Sequence, residues 1–284
     1  MGSTSVVDLA FGRYAGKGTG EMGLLTQVAD SLSPGNVLVA DRYFPSYKTV
    51  AMLKARGVDL VSISHKGRHV DFRRGEPLGP KDHVVEWHRG QYHTARGENA
   101  ANHGAMPETI RMREFVIEIE GRDGKEKVVV VTTITDPVPQ KEIADLYRAR
   151  WLCELDFRSI KHSLHMDVLR CKSPEMVRKE IWCHVMAYNL LRGTMTETAK
   201  RHAITPRQLS VKGTMQAIEA FTPAMMAAGS ETLYDAMLTT VSAHRVGNRP
   251  GRLEPRMKKR RPTWQTYMMK PRQKLRRRLK SSAP

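Results

Sequence analysis

Two short apolar runs, Asn36-Val-Leu-Val-Ala-Asp41 and Val58 to Ser64, flank a segment with helical punctuation. Pro45 opens that segment, the helix runs through Lys54, and Gly57 closes it. A strand without polar alternation is buried on both faces, which is a habit of parallel sheets. Strand–helix–strand at this spacing is a parallel βαβ unit, so an α/β fold is predicted. Upstream, residues 3–10 read as a short strand and Gly12 to Gly20 as a glycine-rich loop. A helix over 21–32 follows, capped by Thr19 or Gly20, and stops before Ser33-Pro34-Gly35.

Downstream the pattern changes twice. Residues 65–134 are predicted to be a β-rich insertion: Val84-Val85-Glu86-Trp87 is extended, Arg113 to Glu120 and Lys125 to Thr135 alternate, and Gly121-Arg122-Asp123-Gly124 makes a hairpin turn. From Pro139 the periodicity is helical, over 140–163, 174–201, 206–220 and 230–243, punctuated by Pro139, Pro174, Pro206 and Pro223. The division expected is therefore 1–64 and 135–168 as core, 65–134 as insertion, 169–243 as a helical C-terminal region and 244–284 as a tail.

Charge separates the tail from the rest. Of 47 Lys and Arg against 29 Asp and Glu, 15 basic residues and one acid, Glu254, fall between Arg245 and Lys280. The tail is thus +14 and everything else only +4. Such a tail seeks a polyanion or is a solvated arm. Nucleic acid fits better than an anionic membrane, because no amphipathic apolar face accompanies the charge. No apolar window approaches the roughly 18–20 residues of a membrane span, and Met1-Gly2-Ser3-Thr4-Ser5 opens no signal peptide. Three sparse cysteines, Cys153, Cys171 and Cys183, give no disulfide framework and suit a reducing cytoplasm.

Two constellations carry potential chemistry. Asp41 ends a buried strand, where open α/β sheets place their ligand crevice, although a helix-capping Asp is the plain alternative. On the helix over 140–163, Tyr147, Arg150, Glu154 and Lys161 fall within a stripe about 60° wide. The plain alternative there is a solvated face with Arg150 and Glu154 as an i,i+4 pair.

Taken together, Val-Leu-Val-Ala-Asp41-Arg42-Tyr43-Phe44 and Tyr147-x2-Arg150-x3-Glu154-x6-Lys161 resemble the DDE transposases of bacterial insertion sequences. The likeness is to the insertion-sequence-four group, with its signature Y-(2)-R-(3)-E-(6)-K. Ala15 to Glu21, Met166 to Glu180, and Arg249 to Arg256 with Lys258 to Pro262 match as well. The resemblance implies a ribonuclease-H-like α/β core with a β-rich insertion before the Glu-bearing helix. It implies Asp41 and Glu154 as catalytic ligands of Mg²⁺, or of Mn²⁺ in its place. Arg150 and Lys161 would contact DNA phosphates, and Tyr147 would hold a phosphate oxygen. In the tail, Lys258, Lys259, Arg260 and Arg261 would bind DNA. The implied partners are double-stranded element ends and target DNA, held by a homodimer in a synaptic complex, in the bacterial cytoplasm at the nucleoid. The reaction is metal-dependent phosphodiester cleavage and strand transfer, for which two divalent ions activate the attacking oxygen and stabilise the leaving one.

One part of the pattern is missing. The family's first catalytic Asp lies upstream on the first core strand, yet the only acids before Asp41 are Asp8, Glu21 and Asp30, and none matches that motif. The core is therefore expected to be incomplete at its N-terminus, and the chain inactive alone and poorly soluble. A catalytically dead remnant, or a plain basic nucleic-acid-binding protein, is the alternative. Other signals are weak. Gly12 to Gly20 departs from the Walker spacing. His162 and His165 with Cys153 or Cys171 lack zinc-ligand pairing. Trp87 is either a core residue or a platform for a flipped base.

Overall fold

The computed structural model describes residues 4–12, 20–90, 104–121, 124–136, 138–247 and 273–274. The glycine-rich loop at 13–19 and the tail residues Lys258, Lys259, Arg260 and Arg261 lie outside the described residues. Two compact units are present, Met1–Glu197 and Thr198–Pro284.

The first unit is built on one six-stranded sheet in the order β1-β2-β6-β5-β4-β3. Its strands are β1 Val37–Val39, β2 Asp59–Ile63, β3 Glu76–Gly79, β4 Asp82–His88, β5 Thr109–Gly121 and β6 Gly124–Thr132. The expected βαβ unit is there. β1 and β2 are parallel, with Leu38 opposite Leu60. The helix between them, α2 Tyr47–Ala55, follows α1 Glu21–Val28 in chain order. Ser46 caps α2 by accepting from the Thr49 N–H at 3.2 Å, so Pro45 lies one residue outside the helix. Gly57, at φ +67°, ends it.

The β-rich stretch does not stand apart from this pair. β6 runs antiparallel to β2, with Ser62 opposite Val131, and so joins the insertion to the core sheet. Gly121 pairs with Gly124 at the end of the β5–β6 ladder, and Arg122 and Asp123 of the expected turn lie outside the described residues. Gly75, at φ +77°, precedes β3; a Cβ there would lie 2.2 Å from the Val84 carbonyl oxygen, which only glycine avoids.

Period-two alternation gives the sheet two apolar faces. On one, Leu60, Trp87, Ile110, Met112 and Val131 pack with Val50, Ala51 and Leu53 of α2. On the other, Val61, Ile63, Phe115, Ile117 and Val130 pack with Ile143, Ala144 and Tyr147. The last three belong to α3 Gln140–Ala149. Trp87 is thereby a core residue: it is 2% exposed, its indole N–H donates to Glu114 Oε1 at 2.7 Å, and the Arg68 guanidinium covers its ring at 3.5 Å. The base-stacking alternative has no free ring face to use.

Three expected elements differ. Residues 4–12 contain no strand; Val6 exchanges two 2.8 Å hydrogen bonds with the Asn189 carboxamide instead. The single helix expected over 140–163 is interrupted. Its ladder breaks at Arg150, resumes as α4 Trp151–Arg158, and closes in a π-helical turn Ser159–Ser163. Pro223 does not punctuate: it lies inside α6 Val211–Ala228. Both Pro223 and Glu219, whose carbonyl loses its i+4 donor, are exposed, so water can take the donor's place. The remaining helices are α5 Pro174–Arg201 and α7 Glu231–Ala243. In the second unit, the backbone of His244 and Val246 bonds to Ser210 and Gln208, at 2.8 and 2.7 Å.

Candidate active site

The site forms where β1 ends. Ala40 is buried, and its N–H still bonds to the Val61 carbonyl at 2.9 Å. One residue on, Asp41 turns its side chain outward. Its backbone carbonyl is fixed, accepting from the Phe44 N–H and from the buried Ser62 hydroxyl of β2, both at 3.0 Å. Asp41 Oδ1 accepts from the Arg42 N–H at 2.7 Å. Since Ser46 caps α2, Asp41 is no helix cap, and its second oxygen is left toward solvent.

The α3–α4 junction approaches the same place from the other side. Tyr147 is buried at the end of α3 against Phe115 and Ile117. Burial raises its phenol above the ordinary value of 10.0, Arg150 opposes by its charge and by a hydrogen bond to the hydroxyl, Asp41 adds to the rise and Arg42 opposes it. Tyr147 therefore lies within the electrostatic reach of the β1 end and of the helix junction at once. Arg150 Nη2 stands 3.8 Å from Glu154 Oε1, one turn along. Asp41, Tyr147, Arg150 and Glu154 are thus coupled by charge pair by pair, Asp41 and Arg150 each acting on the Tyr147 phenol and Arg150 on Glu154, from positions over a hundred residues apart.

Lys161 departs from the helical projection. It sits in the π-helical turn, whose i→i+5 bonding rotates it off a straight 100° stripe, and it is exposed. Arg42 carries no signature of a site residue in the sequence. Its charge nonetheless reaches the site, acting to lower the Tyr147 phenol.

Of the three upstream acids, Asp8 and Asp30 are engaged elsewhere. Asp8 accepts from the Ser31 hydroxyl and from the Leu9 N–H, and Asp30 pairs with Arg56 at 2.9 Å. Among the described residues, no three His, Cys, Asp or Glu side chains are gathered closely enough to hold a metal ion. This applies to His162, which faces Asp167 at 3.8 Å, and to Cys171, which interacts with Glu180. Beside the site, Tyr147, Arg148, Arg150 and Trp151 meet Glu118, Ile119 and Lys125 around a cavity of about 680 Å³.

The family described as "Transposase DDE domain" matches residues 13–190. The chain belongs to the DDE transposase domain family. It is 32% identical over 141 residues to the transposase InsG for insertion sequence element IS4 of Escherichia coli strain K12, covering 47% of this chain and 32% of that protein. It is 33% identical over 82 residues to the putative transposase InsL for insertion sequence element IS186A of the same strain, covering 28% and 22%. The transposase for insertion sequence element IS421 of Escherichia coli matches to the same extent. The chain spans about a third or less of the length of these relatives. Among the described residues of this DDE transposase domain, no helix is long and apolar enough to cross a membrane.

Proposed function

We propose that this chain is the part of an insertion-sequence transposase that carries the second and third carboxylates of its DNA-cleaving site, Asp41 and Glu154. The observation that carries the reading is this pairwise coupling. A carboxylate at a strand end acts by its charge on Tyr147, and Arg150, on the same helical stretch, stands 3.8 Å from a second carboxylate, in a chain of the DDE transposase family. Plain DNA binding gives no reason to place carboxylates among cations.

The donor set fits a hard divalent cation. Both carboxylates are exposed, and Asp41 Oδ2 has no protein donor among the described residues. Mg²⁺ accepts two carboxylates and fills its octahedron with water and phosphate oxygens, and Mn²⁺ tolerates the same ligands. Asp41 and Glu154 would hold it, and the ion would supply Lewis acidity at a phosphodiester of double-stranded DNA. Arg150 and Lys161 position phosphates, and the neutral Tyr147 hydroxyl offers a hydrogen bond to a phosphate oxygen. Two copies hold the element ends together.

A third carboxylate is needed in this reading, and the outer edge of β1 is where a further strand can bring it. Among the described residues nothing pairs with that edge, Val37 on it is 39% exposed, and α4 has no buried residue. The same open edge favours a second reading, a chain that binds DNA without cutting it. Cleavage of DNA carrying the ends of the encoding element distinguishes the two. The chain alone should not cut with Mg²⁺ or Mn²⁺. Joined to the polypeptide encoded in frame upstream it should cut, and Asp41→Asn or Glu154→Gln should abolish cutting while duplex affinity stays within about twofold. Cutting that survives either substitution refutes the assignment.

A further inference from the structure

Successive inward positions of β5 on the α3 face are Arg113, Phe115 and Ile117, all buried. Phe115 and Ile117 are ordinary core residues. Arg113, 4% exposed, is not. Its Nε and Nη2 donate to the two carboxylate oxygens of Asp82 at 2.9 and 2.6 Å, and Nη1 donates to the Val138 carbonyl at 2.6 Å. A buried ion pair is a weak source of stability, since apolar residues of similar volume often do as well or better. The pair therefore calls for a role other than stability, and the third contact supplies one. Val138 precedes Pro139, the residue at the N-terminal boundary of α3, which makes no side-chain capping bond. Two more bonds tie the same helix to the same strand: Gln140 Nε2 donates to the Val116 carbonyl at 3.0 Å, and Arg148 Nη2 to the Glu118 carbonyl at 3.2 Å. β5 is a rail for the helix that carries Tyr147, and Arg113 is its dry, charged end.

We propose that Arg113 is a positioning residue. Locked in place by Asp82, it fixes the start of α3 through the Val138 carbonyl and so sets where Tyr147 and Arg150 stand against Asp41. The inference rests on reading those residues as the DNA-cleaving site. It makes the insertion strands β4 and β5 part of the site's construction, although they reach no reacting atom.

The test uses the full chain with two replacements. Asp82→Leu/Arg113→Met removes both charges together, and Arg113→Lys keeps a cation beside Asp82 but cannot reach Asp82 and Val138 in the same fork. The readouts are the thermal midpoint, amide hydrogen exchange along α3, and duplex affinity at fixed salt, each with and without Arg150→Ala. Both replacements should hold the midpoint within a few degrees and leave β4 and β5 protected. The α3 amides should exchange about tenfold faster, the size expected for one charge-assisted hydrogen bond. Duplex affinity should fall to that of Arg150→Ala and no further when the two are combined. A purely structural pair predicts unchanged α3 exchange at an unchanged midpoint, and that result overturns the proposal. If the double replacement unfolds, Arg113→Lys decides alone. If Arg150→Ala binds duplex as well as the unsubstituted chain, the DNA reading of the site fails, while the exchange of α3 still decides the positioning.

Discussion

Removing the Glu114 carboxylate should destabilise the sheet more than any surface ion pair can. Glu114 is 3% exposed, and its two oxygens serve three groups. Oε1 accepts from the Trp87 indole N–H at 2.7 Å and lies 3.4 Å from Arg68 Nε; Oε2 lies 3.2 Å from His83 Nε2. In Glu114→Ala the indole N–H is stranded in the core, which costs about 1–3 kcal/mol. Breaking a buried ion pair by removing one partner costs about 3–5 kcal/mol, but the Arg68 side chain is 39% exposed and regains water, so the lower end applies. A loss of about 4 kcal/mol follows, or a fall of roughly 8–16 °C in thermal midpoint at about 2–4 °C per kcal/mol. Glu114→Gln keeps an oxygen for Trp87 and should lose about half as much. The control is Arg111→Ala, which removes the exposed Arg111–Glu76 pair at 3.0 Å and should cost under about 1 kcal/mol. Urea unfolding followed by circular dichroism measures all three. A Glu114→Ala loss below about 1 kcal/mol, or one no larger than the control's, refutes the claim that this carboxylate organises the core around Trp87.

The basic tail should add a nonspecific duplex contact to that of the site. Its 14 basic residues from Arg249 to Lys280 should neutralise about 5–8 phosphates and give a log–log salt slope of about −4 to −7. Deletion should begin after Gly247, because His244 and Val246 are bonded to Ser210 and Gln208; a slope unchanged by that deletion puts the footprint on the body. Tyr147 should contribute an alkaline limit to stability: its phenol is raised in the folded chain, so its contribution is complete below about pH 10 and is lost as pH climbs through the folded value. Tyr147→Phe should flatten that loss, and identical alkaline unfolding curves would count against the burial argument. Glu180 has the opposite sign. The Arg170 and Cys171 N–H groups hold it below the usual carboxylate range, so its hold on this segment is full above that range and released as pH falls through the lowered value. Amide exchange at Arg170 and Cys171 should accelerate in acid, and Glu180→Gln should show the faster rates already at neutral pH.

What the sequence disclosed followed how local each signal was. The β1–α2–β2 unit is legible because its apolar runs, the Pro45 that precedes the helix and the Gly57 stop are all read within thirty residues. Asp41 is legible as a residue just past a strand end for the same reason. The junction of β6 with β2 is not, since antiparallel pairing of Ser62 with Val131 depends on contacts seventy residues apart and leaves no local period. The stripe from Tyr147 to Lys161 assumes an unbroken helix. It holds where the Arg150–Glu154 contact forms and fails after Ser159, where one π-helical turn changes the rotation per residue. Arg113 was hidden for a sharper reason. Arg111 and Arg113 occupy the same face of β5, and the first pairs with Glu76 in solvent while the second is sealed beneath Val138. Alternation reports which face a residue shares, but not where along that face the covering helix begins. The covering begins at Val138. It turns an apparently solvent-facing arginine into the buried contact at the start of α3, the helix whose Tyr147 phenol feels the charge of Asp41.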